Sequence, residues 1–226
     1  MNNIFRAYDI RGIVGQELTD EVMLSIARAF ATYARQHGYA KMLVGRDNRA
    51  SSPHLRDLVV EALLACGCDV VDLGTVITPI FYYAARHLGI EAGIMITASH
   101  NPAIYNGIKV FTQGGRDADE MQTNEIENYI SDIEDQDIVS MDYDKAVEKG
   151  LIFEINPLNE YIDNIIDTVN MQAIRDSGLR VALDPMYGVS ETSLRTILLT
   201  ARCDVAIIHD RHDTLFGGKL PSPSAA

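Results

Sequence analysis

The sequence has 226 residues, 47% of them hydrophobic and 23% charged, which suits a globular protein with one large domain or one domain and part of another. A formal net charge of -13 argues against a nucleic-acid binder, which would show a basic face, while leaving room for a phosphorylated substrate held by local cations. Three cysteines without a C-x-x-C pair argue against a disulfide framework or structural zinc, and neither a leader-like nor a membrane-length apolar run is present, so a cytoplasmic protein without membrane contact is expected.

Residues 20–37 predict a helix. Val22, Ile26, Phe30 and Tyr33 recur at helical spacing, Asp20 and Glu21 stand in the first turn, and Gly38 ends it. "KMLVGRD" (41–47) reads as a buried strand running into a loop. The next helix carries Leu55, Leu58, Val59, Ala62, Leu63 and Cys66 on one face, which places Cys66 in the core. "DVVDLG" (69–74) reads as a strand, 79–88 as a helix, and "AGIMIT" (92–97) as a strand that enters a loop. Residues 119–133 predict an amphipathic helix. The acidic run "DIEDQDIVSMDYDKAVEKG" (132–150) reads as a solvated connection, because no glycine-framed loop gathers its aspartates around a metal.

A second unit begins near residue 152. Leu158, Tyr161, Ile162, Ile165, Ile166 and Val169 share a helix face; "LRVALD" (179–184) and "CDVAIIHD" (203–210) read as strands around the helix 188–200. The chain closes on the loop-like "FGGKLPSPSAA" (216–226). Alternating strands and helices predict an α/β fold. A single β-α-β unit leaves sheet edges unpaired, so the chain is expected to stop partway through its second domain.

The segment "ITASHNPAIYNGIKV" (96–110) sets Ser99 beside His100, then Pro102, an Asn106-Gly107 turn and Lys109. A serine hydroxyl is a poor nucleophile without a base, a metal or strong electrostatic help. Three readings compete. A serine hydrolase wants a G-x-S-x-G elbow, where this chain has T-A-S-H. Phosphoryl transfer through a phosphoserine wants nearby cations and usually a divalent metal. The third reading is a binding loop without catalysis. Arg6 and Arg11 in "FRAYDIRG" (5–12), and Arg46 and Arg49 before Ser51, Ser52 and Pro53 at a helix start, suit phosphate. A structural ion pair with Asp47 or Asp9 is the alternative for Arg46. These cations sit beside strand ends, where open α/β sheets bind ligands.

Together, "FRAYDIRG", "GRDNRASSP" and "TASHNPAIYNGIKV" resemble the α-D-phosphohexomutase family, most closely its phosphomannomutase/phosphoglucomutase branch. "GTVITP" (74–79), "LDPMYG" (183–188) and "LFGGKLPSP" (215–223) resemble further family segments. The resemblance implies a three-layer α/β/α domain with a mixed sheet, followed by a partial second domain of similar type. The expected division is 1–140, a charged connection at 141–152, and 153–226. It implies an isomerase that interconverts hexose 1- and 6-phosphates through phosphorylated Ser99 and a hexose 1,6-bisphosphate that primes the serine. His100, Lys109 and Arg11 would be catalytic. Tyr8, Arg11, Asn101 and Lys109 would bind phosphate or substrate. Ser99 would offer a phosphate oxygen to Mg2+, whose aspartate loop is absent here and expected beyond Ala226, so the chain alone is expected to be inactive. Phosphoglucosamine mutases resemble "DGIRG" and "DNGIK", against "YDIRG" and "YNGIK" here, which favours mannose or glucose phosphates. A phosphoglucosamine mutase and a shortened, non-catalytic paralogue acting as a binding or regulatory module are the alternatives.

Overall fold

A computed structural model describes Ile4 and residues 9–113, 115–132 and 143–223. Arg6 and Tyr8 lie outside the described residues. Strand β1 (Ile10–Ile13) leads to α1 (Asp20–Gln36). The Thr19 hydroxyl accepts the Val22 N–H at 3.4 Å, and Asp20 and Glu21 face the helix dipole at the same end. Then follow β2 (Lys41–Arg46), α2 (Ser52–Ala65), β3 (Asp69–Thr75), α3 (Thr78–Leu88), β4 (Ala92–Ile96), β5 (Tyr105–Thr112), β6 (Arg116–Asp117) and α4 (Glu120–Asp132). Helix α5 (Tyr143–Glu148) and β7 (Ile152–Glu154) complete the first unit.

Its seven-stranded sheet runs β1-β5-β4-β2-β3-β7, with β6 beside β5. The pairs among β2, β3, β4 and β7 are parallel, and β5 runs antiparallel to β1, β4 and β6. The central strands are apolar on both faces, as a covered parallel sheet requires. On one face Met23, Ile26 and Phe30 of α1, Leu55 and Val59 of α2, Ile126 of α4 and Ala146 of α5 join the core. On the other, Ile80 and Phe81 of α3 pack on Leu43, Val71, Met95 and Phe111. This is the expected three-layer α/β/α arrangement with a mixed sheet. Cys66 caps α2 and packs half-buried against the core, where burial raises its thiol. Burial of Cys68 pushes its thiol up to about 11.

Two expectations need correction. Residues 143–152, read as part of a charged connection, close the first sheet instead. Tyr143, Ala146, Val147 and Leu151 turn inward while Asp144, Lys145, Glu148 and Lys149 face solvent, and β7 pairs with β3 at Val70↔Ile152. Net charge hid a short amphipathic pattern. Likewise, Asn106 and Gly107 form no turn. Both lie inside β5, paired with Gly12 and Arg11 of β1.

The second unit has α6 (Leu158–Thr168), α7 (Met171–Ser177), β8 (Arg180–Leu183), α8 (Glu191–Thr200), β9 (Asp204–Ile207) and a single 3-10 turn at Phe216–Gly218. Strands β8 and β9 form a parallel pair, and Met171, Ala201 and Cys203 make a small core. Among the described residues, no helix is long and apolar enough to cross a membrane.

Candidate active site

Strand β4 delivers the chain to Ser99 at the C-terminal end of the parallel strands. Ser99 is exposed and takes a left-handed backbone, φ 54°. For a residue with a Cβ this costs about 1–3 kcal/mol and persists only where neighbours enforce it. The Ser99 N–H donates to the Thr97 hydroxyl at 3.0 Å, and the Asn101 N–H to the Ala98 carbonyl at 3.0 Å. Ser99 Oγ and His100 Nδ1 stand 3.3 Å apart, within reach for a proton exchange once the geometry tightens.

Arg11 reaches the loop from β1. Its Nη1 donates to Asn101 Oδ1 at 2.7 Å and to the Ala98 carbonyl at 3.3 Å, while Nη2 pairs with Asp9. Gly107, its partner across the ladder, admits this approach. A Cβ there would lie 2.2 Å from the Ile10 carbonyl oxygen and 3.1 Å from that of Thr97. Lys109, two residues on, donates to Asp117 Oδ2 at 3.1 Å, and the Tyr82 hydroxyl donates to the other oxygen of that carboxylate. The structure therefore gathers Ser99, His100, Asn101 and Arg11 at one loop. It holds Lys109 on β5 in an ion pair of its own.

Arg49 is not available to a phosphate. Its guanidinium is buried, and all five donors are engaged: Nε to Asp47, Nη1 to the Pro102 and Tyr105 carbonyls, Nη2 to those of Ser99 and Asn101, at 2.8–3.1 Å. The start of α2 is likewise filled. Asp47 accepts the Ser52 hydroxyl at 2.6 Å, and the buried Asn106 amide donates to Ser51 and Ser52. No open anion site remains there. Arg46, by contrast, makes no ion pair with Asp47 or Asp9.

Sequence reasoning missed the second wall of the site. A cleft of about 590 Å³ lies between the units, lined by Ser99, Thr97 and Asp47 on one side and Asp184, Met186 and Ser190 on the other. Asp184 accepts the Met186 N–H at 2.8 Å and faces His209 Nδ1 at 3.0 Å. The Met186 N–H first, and His209 second, hold its carboxyl below the ordinary carboxylate range. Asn48 donates to the Tyr187 carbonyl at 2.7 Å, and the Phe216 ring covers Arg49 at 4.9 Å. The only sequence signal for this wall was the "LDPMYG" and "LFGGKLPSP" segments.

Comparison with known proteins gives the same outline. Residues 2–137 match the family model "Phosphoglucomutase/phosphomannomutase, alpha/beta/alpha domain I", and residues 159–226 match domain II of the same family. The chain is 33% identical over 224 residues to a phosphoglucosamine/phosphogalactosamine mutase of Sulfurisphaera tokodaii, covering 99% of this chain and 48% of that protein. It is 34% identical over 221 residues to a phosphomannomutase/phosphoglucomutase of Pseudomonas aeruginosa, covering 98% and 44%. The crystal structure of a phosphoglucomutase/phosphomannomutase family protein from Burkholderia thailandensis superposes with a TM-score of 0.78 at 29% identity, over 94% of this chain and 45% of that one. The chain thus spans about half the length of the curated relatives it matches.

Proposed function

The chain belongs to the phosphoglucomutase/phosphomannomutase family, and from that membership we propose that it carries the phosphoserine half of a phosphohexomutase site. Ser99 carries this reading: an exposed hydroxyl on a strained turn at the end of β4, opening on the cleft between two units. In the proposed cycle the phosphoryl group leaves Ser99 Oγ for a hydroxyl oxygen of a hexose 1- or 6-phosphate. The P–Oγ bond breaks and a P–O bond to the sugar forms. The proton lost by the sugar hydroxyl is taken up by His100, which delivers a proton to the departing Ser99 Oγ, so the imidazole ends as it began. The other phosphate of the resulting 1,6-bisphosphate then moves to Ser99, restoring the phosphoserine. Arg11 and Asn101 shape the turn and set positive charge beside it. Lys109 balances Asp117 until an incoming phosphate competes for it. Tyr8 is proposed as a substrate contact from its sequence position alone.

Mg2+ would neutralise charge on the transferring phosphoryl group. The described residues do not fit it by themselves. None of their His, Cys, Asp or Glu side chains form a group of three or more placed to hold a metal, and the Ser99 phosphate would add one ligand. We therefore derive no step through the ion, and we propose that this chain alone does not sustain turnover. We propose two units, the first running through β7 to Glu154 and the second following it. The cytoplasm is the proposed location.

Relatives acting by name on hexose phosphates and on amino-sugar phosphates stand at nearly equal identity. The segments "YDIRG" and "YNGIK" support mannose or glucose phosphates. A 31P NMR assay with mannose, glucose and glucosamine 1-phosphates separates the readings. Conversion of the first two faster than the third by the protein carrying this chain is expected. Preference for glucosamine 1-phosphate overturns the sugar assignment, and robust turnover by the purified 226-residue chain overturns the claim that it is incomplete for catalysis.

A further inference from the structure

A second pocket, of about 400 Å³, lies at the C-terminal ends of the parallel strands β2, β3 and β7, with Arg46, Arg56, Asp72, Gly74 and Glu154 in its wall. Arg46 and Gly74 stand at the start of the segments "GRDNRASSP" and "GTVITP", yet this pocket lies apart from the Ser99 cleft. Its shape comes from an irregularity in the sheet. The β2–β3 register slips between Val44↔Asp72 and Arg46↔Thr75, so β3 spends three residues where β2 spends two. Gly74 takes φ 65° within that bulge. Bulges of this kind re-aim side chains near functional sites.

The charges of this pocket are unevenly matched. Asp72 is 2% exposed and accepts three hydrogen bonds: from Arg56 Nη1 at 2.6 Å, the Tyr143 hydroxyl at 2.7 Å and the Gly74 N–H at 2.8 Å. Arg56 also pairs with Asp57 at 2.8 Å and lies over the Tyr143 ring at 4.3 Å. The Tyr143 hydroxyl reaches Glu154 at 3.0 Å. Arg46 is left over. Its single hydrogen bond among the described residues is Nη1 to the Asp47 carbonyl at 3.3 Å, its Nε is buried without a partner, and no described carboxylate comes within 4 Å. Burial first, and the neighbouring Arg56 second, disfavour its charge, and Asp72, Asp47 and Asp57 offset this only from beyond hydrogen-bond reach. A buried donor without a partner, as Arg46 Nε is here, is costly, and an oxyanion in the pocket would supply the missing acceptor.

We propose that this pocket is a binding site for a small oxyanion, a phosphate group above all, gripped by the Arg46 fork. A guanidinium matches phosphate with two parallel N–H···O bonds, and the ends of parallel strands are where α/β sheets take ligands. The site is separate from the Ser99 cleft and stands whether or not Ser99 carries phosphate.

The test is an NMR titration of the chain with inorganic phosphate, and separately with acetate, following backbone amides and arginine Nε–H signals. Saturable shifts at Arg46 Nε–H and the Gly74 amide, with a dissociation constant on the order of 1 mM, are expected for phosphate. Acetate should bind at least several-fold more weakly. The response should vanish in Arg46→Gln, weaken several-fold in Arg46→Lys and persist in Ser99→Ala. Amides of residues 98–101 report the serine loop separately, and an unchanged β2–β3 amide pattern in Arg46→Gln shows that the fold is intact. Absence of saturation at Gly74, an undiminished response in Arg46→Gln, or tighter binding of acetate overturns the proposal.

Discussion

Arg49 holds the serine loop through the carbonyls of Ser99, Asn101, Pro102 and Tyr105, of which Pro102 also accepts the Tyr105 N–H. Arg49→Met would leave those carbonyls and Asp47 facing an apolar side chain. Breaking a buried, hydrogen-bonded charge pair in this way costs about 3–5 kcal/mol, so urea unfolding should show a loss of that order. Arg49→Lys keeps the charge but supplies at most three donors from a single point, and should recover only part of it. Asp184 offers a test by pH. Its folded pKa lies below its ordinary 3.8, so its contribution to stability is present above that value and is lost as pH falls through the lower folded one. Its side chain is 40% exposed, which keeps the effect modest. Asp184→Asn should flatten the urea midpoint below about pH 4; an unaltered acid limb would count against the geometry. At this scale the sequence identified the residue types but not their duties. Arg46 and Arg49 stand three apart in one cation-rich segment. Burial against Asp47 and the loop carbonyls separates their roles, and burial of that kind comes from contacts distant in sequence.

Strand β5 shows what was legible among the elements. Long, periodic segments were readable: α1, α2 and the strands around them follow from apolar spacing, with Asp20, Glu21 and Gly38 marking the ends of α1. Asn-Gly is a strong turn signal, yet here tertiary contact overrides it. Asn106 is drawn inward by Ser51 and Ser52, and Gly107 is required where β1 and β5 come together. Gly107→Ala should therefore be destabilising by about 3 kcal/mol, since backbone on both sides must shift. Hydrogen exchange at Ile10–Ile13 should accelerate more than exchange in β2. Uniform acceleration, or none, would contradict this account of the strand pair. The short strands β1, β6 and β7 escaped the sequence because two to four residues carry too little periodicity to register.

Across the whole molecule, the two units meet through Asn48 and Tyr187, Arg49 and Phe216, and the edge-on Tyr83 and Tyr161 rings. The cleft that exposes Ser99 is built between them. Sequence reading marked this wall only through "LDPMYG" and "LFGGKLPSP", because Asp184, Met186 and Ser190 lie 85 or more positions from Ser99 and carry no apolar period. The central claim is that Ser99 carries the phosphate in this site. The most direct measurement is intact mass followed by peptide mapping across residues 96–109, before and after incubation of the chain with glucose 1,6-bisphosphate and Mg2+. The account predicts a single phosphate on Ser99, absent from Ser99→Ala. Phosphate on another residue, or none on Ser99 under any of these conditions, would contradict it.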